Sequence, residues 1–98
     1  MERILPLRKR IDEIDEHILL FLKERVEVSR TIGSVKKELA IPARDPAREN
    51  DLYIRIRDRA AQLGLSPDQV AAIYREIIGL CTGVQENRFK TQDRIFKE

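Results

Sequence analysis

The sequence predicts an all-α chain of three helices, one long and two shorter. Three observations carry that expectation. Apolar residues between Ile4 and Val35 recur in alternating steps of three and four, which is the heptad signature of a helix. Two breaks, IPARDP at 41–46 and LGLSPDQ at 63–69, divide the remainder into further helical segments. Nowhere do apolar and polar residues alternate with period two over a strand's length.

The first helix is expected over about 5–39. Its seam runs Ile4, Leu7, Ile11, Ile14, Ile18, Phe21, Arg25, Val28, Ile32, Val35. Pro6 falls in the first turn, where a missing N–H costs nothing. At 1.5 Å per residue such a helix is roughly 45–50 Å long. The two shorter segments cannot cover that length, so something outside the chain must bury part of the stripe. The second helix is expected over 46–63, with Asp45 as cap, Pro46 at the first helical position and Gly64 as the left-handed residue past its end. The third is expected over about 67–91. Ser66 and Gln69 form a capping-box pattern ahead of the stripe Val70, Ile73, Tyr74, Ile77, Ile78, Cys81, Val84. The tail NRFKTQDRIFKE either prolongs this helix or frays.

Size and composition bound the function. The chain has 98 residues, read as one domain over 1–98, and 37% of them are charged against about 25% in ordinary domains. Aromatics make up 5% and Trp is absent, so the core is thin and a partner subunit is expected. Nineteen basic and 17 acidic side chains leave +2, too little to recruit nucleic acid or an anionic membrane. One Cys and one His exclude an intramolecular disulfide and Cys-rich or multi-His metal sites. No apolar run reaches the ~20 residues of a membrane span. The N-terminal residues lack a signal-peptide pattern, so a cytoplasmic location is expected.

Some residues break the pattern. Arg25 occupies a seam position between Phe21 and Val28. A buried guanidinium needs a fixed carboxylate or an anionic ligand, unless its head reaches solvent. Lys36 lies eleven residues on, about 16 Å along the axis and about 20° around it, so both can serve one small anion. Arg8 lies about 42 Å from Lys36 on the same helix. In a twofold antiparallel pairing centred near Leu19 or Leu20, however, Arg8 of one chain lands between Arg25 and Lys36 of the other. Arg44, Asp45, Arg48 and Glu49 cluster at a helix start, where capping alone explains Asp45. Cys81 and Gln85 sit one turn apart near the third stripe. Gly79 and Gly83 weaken that helix, and their spacing suits a close helix approach. His17 reads as surface. Asp12, Asp15 and Glu16 read as solvated, with Asp15 available to a buried Arg.

Taken in order, LRKRIDEIDEHILLFLKERVEVSRTIGSVK, RDPARENDL and IYREIIGLCTGVQ make the sequence similar to the small all-helical chorismate mutases, over nearly the whole chain. The resemblance implies an intertwined antiparallel homodimer with shared active sites. It also implies a Claisen rearrangement of chorismate to prephenate, in phenylalanine and tyrosine biosynthesis, without metal or other cofactor. By the same resemblance, Arg8 from the partner subunit and Arg25 hold carboxylates. Lys36 contacts the ether oxygen and a carboxylate, and Gln85 donates the second hydrogen bond to that oxygen. Glu49, with Asp45, holds the ring hydroxyl, and Arg48 supports carboxylate binding. Cys81 falls where some relatives carry Ser, but a thiol is a weak donor, which puts that contact in question.

Two rival readings remain. Isochorismate-pyruvate lyase shares the fold and a similar cationic pocket. A non-enzymatic helical docking dimer explains the heptads but not an arginine in the seam. Feedback regulation and regulatory partners leave no signature in the sequence.

Overall fold

The computed structural model describes the backbone of residues 1–97 and the side chains of residues 1–86. Three helices form: α1 (Ile4–Glu38), α2 (Pro46–Gln62) and α3 (Pro67–Lys97). No strand occurs among the described residues. The starts of α2 and α3 and the ends of α1 and α2 fall within a residue of expectation. The backbone of α3 continues to Lys97, past the expected end near 91; the tail's side chains lie outside the described residues.

The caps follow local chemistry. The Asp45 carboxylate accepts from the Arg48 backbone N–H at 3.1 Å, and Pro46 occupies the first turn of α2. Gly64 has φ +75°, and the Leu65 and Gly64 amides donate back to the Ala60 and Ala61 carbonyls. That is a Schellman ending. The Ser66 hydroxyl accepts from the Gln69 amide at 3.3 Å. The reciprocal bond expected from the Gln69 side chain is not formed among the described residues, so the capping box is half made. At the end of α1 the same Schellman pattern appears, with Ile41 and Ala40 donating to the Lys36 and Lys37 carbonyls. Here the left-handed position is held by Ala40, at φ +55°.

In space the order is α1, α3, α2. The third helix packs against both others, whereas α1 and α2 do not pack on each other. The Cα envelope measures 57 × 32 × 16 Å. A helix with side chains is about 10–12 Å across, so this is little more than one layer. The small core lies on α2 and α3, at Ala60, Ala71, Ile78 and Cys81. On α1, the buried residues are Ser29 and Gly33, and the neighbouring Leu22, Arg25 and Val26 are half-buried.

Apart from Arg25, which reaches Cys81 on α3, the seam of α1 is therefore not the face that meets α3. Ile11, Ile18 and Phe21 are 55%, 57% and 69% exposed. The chain presents 8088 Å² of accessible surface, where a compact monomer of this mass presents about 5,800 Å². Gly79 and Gly83 depart from expectation. A Cβ built on either meets nothing within 4 Å, so among the described residues no close helix approach uses them.

Candidate active site

Because α1 and α2 stand apart, a gap opens between them, floored by α3. It holds a cavity of about 370 Å³, within the range of small-molecule sites. Seven of the eight expected site residues line it: Arg25, Lys36, Asp45, Arg48, Glu49, Cys81 and Gln85. Arg8 does not. It is exposed near the far end of α1.

Each element brings its own chemistry. From α1 come Arg25 and Lys36, both half-buried. The Lys36 ammonium donates to the Gln85 Oε1 at 2.9 Å and to the Ala43 carbonyl at 2.7 Å. An ammonium has no acceptor, so it must face the carbonyl end of the Gln85 amide. That leaves Nε2 of Gln85 as a second donor beside the ammonium. Gln85 itself is 9% exposed. Its approach depends on Gly33, where a Cβ would stand 3.1 Å from Gln85 Cα.

The Arg25 guanidinium donates to Cys81 Sγ at 2.7 Å. Cys81 thus accepts from the arginine, a contact that the sequence reading did not foresee. Asp15, expected to be available to a buried arginine, makes no such pair among the described residues. From the start of α2, Asp45 lines the cavity while capping the helix. Glu49 is ion-paired with Arg44 at 3.2 Å, and Arg48 is exposed at the rim.

The electrostatic result is asymmetric. Among the described residues neither Arg25 nor Lys36 has a carboxylate partner, since their hydrogen-bond acceptors are a thiol, a backbone carbonyl and an amide. The two carboxylates on the wall are already engaged, one as a cap and one with Arg44. Two half-buried cations without a counterion favour an anionic occupant. Val28, Ile32, Leu52 and Ile78 supply an apolar wall beside them. No group of three or more His, Cys, Asp and Glu able to hold a metal occurs among the described residues.

Sequence reasoning misses Ser29, Gly33, Thr82 and the Ala43 carbonyl. Ser29 and Gly33 are detectable in principle, because they lie between Arg25 and Lys36 on nearly the same side of α1. The carbonyl has no signal, since a loop conformation decides where it points. A second hollow adjoins the first at Arg25, lined by Ile14, Ile18, Phe21, Leu22, Tyr74 and Ile77 with His17 at its edge. No helix among the described residues is long and apolar enough to cross a membrane.

Comparison with known proteins shows the family. Residues 7–86 match the family model for chorismate mutase type II. A chorismate mutase of Methanocaldococcus jannaschii is 42% identical over 57 residues, 58% of this chain and 58% of that protein. The bifunctional chorismate mutase/prephenate dehydratase of Aquifex aeolicus is 36% identical over 89 residues, 88% of this chain but 25% of that protein. The match thus spans less than two thirds of the length of either relative. A solved structure described as a conserved hypothetical protein from Pyrococcus furiosus superposes with TM-score 0.69 at 33% identity, covering 87% of this chain and 97% of that one. With a match that runs from Leu7 in the α1 seam to the residue after Gln85, the chain belongs to the chorismate mutase type II family.

Proposed function

We propose that this chain catalyses the rearrangement of chorismate to prephenate, and that it does so as a symmetric dimer with two shared sites. The observation that carries the reading is the pair of half-buried cations, Arg25 and Lys36, that lack carboxylate partners among the described residues on one wall of a cavity sized for a small molecule. Chorismate is a dianion with a flexible enolpyruvyl arm. Cations that fix both carboxylates fold the arm over the ring, which removes entropy from the barrier.

The reaction is a concerted shift of bonding electrons, with no net proton transfer. As the C–O bond breaks, partial negative charge gathers on the ether oxygen. Lys36 Nζ and Gln85 Nε2 are the donors assigned to that oxygen. Donors fixed in advance stabilise the transition state more than the ground state. Arg25, held by Cys81, takes one carboxylate. Arg8 of the partner subunit and Arg48 serve the other, and the free oxygen of Glu49, with Asp45, receives the ring hydroxyl.

The dimer is supported by the exposed seam. Ile11, Ile18 and Phe21 are each more than half exposed along it, an apolar stripe that a second helix would bury. A second α1 laid antiparallel along the first covers that seam and the apolar hollow, and brings Arg8 to the cavity.

The test is direct. Purified protein is incubated with chorismate alone, and both chorismate loss and prephenate formation are followed. Conversion that Lys36→Ala removes supports the reading. A folded dimer that leaves chorismate untouched overturns it, and isochorismate is then the substrate to try.

A further inference from the structure

The geometry points to Ser29 as a ligand-binding residue of this site, with its hydroxyl donating to the carboxylate that Arg25 holds. Ser29 is 6% exposed and lines the cavity. It lies one turn beyond Arg25, about 6 Å along the axis, and about 10 Å before Lys36.

Its hydroxyl is not used by the fold. A serine inside a helix ordinarily satisfies itself on the carbonyl one turn back. Thr31, two residues on, does so with the Glu27 carbonyl at 3.3 Å. Ser29 makes no such bond and no other among the described residues. Yet no buried side-chain oxygen or nitrogen is left without a partner there. Its Oγ must therefore open onto free space, and the space at that wall is the cavity. Serine is also a poorer helix former than alanine, so at a buried helical position its hydroxyl costs stability unless it meets a ligand.

The assignment rests on the mutase reading above and adds a donor to it. Arg25 is the nearer cation, and its carboxylate is present equally in ground and transition states. Loss of the hydroxyl therefore weakens uniform binding, which appears in KM rather than kcat.

Steady-state kinetics on chorismate with the wild-type chain and Ser29→Ala test this, alongside thermal unfolding of both. A hydrogen bond to a charged group predicts a KM about tenfold higher. The kcat should stay within about twofold, with no fall in the unfolding midpoint. An unchanged KM in the folded variant overturns the assignment, and so does a loss confined to kcat. A wild type that does not turn over chorismate fails the mutase reading itself, and the Ser29 assignment falls with it. Failure of Ser29 alone leaves wild-type turnover intact, so the two are distinguishable.

Discussion

The Cα of Gln85 stands 3.1 Å from the point where a side chain on Gly33 would begin. Gly33 is one turn before Lys36 on α1, so the residue that admits α3 also sets how closely Gln85 meets the ammonium. Gly33→Ala forces α3 outward by a few tenths of an ångström, because the obstacle is backbone. Overpacking costs about 1–3 kcal/mol, and the better helix propensity of alanine returns about 1 kcal/mol. The expected net is a loss of about 0–2 kcal/mol in urea unfolding. Turnover should fall about tenfold, since small misplacements of a donor are expensive in rate. Full activity in Gly33→Ala would show that the close approach has no catalytic role.

Lys36→Ala removes the donor that already sits at 2.9 Å from Gln85. The expected loss is about two to three orders of magnitude in kcat, with an unchanged circular dichroism spectrum. Lys36→Arg should recover little. A planar guanidinium does not replace a compact ammonium that bonds the Ala43 carbonyl and Gln85 at once. Substantial turnover in either variant would remove Lys36 from the reaction.

Cys81 is expected to act through Arg25. Cys81→Ser keeps an acceptor for the guanidinium and should hold kcat/KM within about threefold. Cys81→Ala frees the guanidinium and should raise KM about threefold to tenfold. Equal kinetics for the two variants would mean that the bond at 2.7 Å has no part in orienting Arg25.

Much of this site is legible in the sequence, for a physical reason. Arg25 and Lys36 lie about 20° apart on one helix, so periodicity alone puts them on one face. Caps are equally local, and Asp45, Pro46 and Gly64 behave as their chemistry dictates. What stays hidden is of another kind. A cysteine on a helix reads as a weak donor, because the sequence does not reveal that a guanidinium faces Cys81. Gly79 and Gly83 suggest a close approach that occurs instead at Gly33, since spacing on one helix does not say which glycine another helix meets. The seam is recognisable as a stripe to be buried. That α3 packs on the adjacent face, through Ser29 and Gly33, depends on tertiary geometry.

Ala40 offers a prediction away from the chemistry. It holds φ +55° at the Schellman end of α1, a conformation that costs an L-residue about 1–2 kcal/mol. Ala40→Gly relieves that strain and gives back part of the gain as unfolded-chain entropy. A net stabilisation of about 0.5–1 kcal/mol is expected, measured by urea unfolding at fixed protein concentration, since in the proposed dimer stability would depend on it. Turnover should not change. A less stable Ala40→Gly would mean that the turn is not strained.

Sharing of the site between subunits can be tested by complementation. Arg8 is absent from its own chain's cavity, and the proposed antiparallel pairing about Leu19 or Leu20 would send it to the partner's. Arg8→Ala dimers then lack one cation in both sites, and Arg25→Ala dimers lack another in both. In a mixed dimer the two defects fall in the same site, so the other site is intact. After random exchange about half of the dimers are mixed, and each carries one intact site of two. About one quarter of wild-type activity should therefore return from two nearly inactive parents, as twofold symmetry requires. Exchange is checked independently by mass spectrometry of differently tagged chains. Demonstrated exchange with no recovery would place both arginines in a single chain's site, or leave Arg8 outside the reaction. A return well above one quarter would point to preferential mixed pairing, which the measured distribution of dimers would reveal.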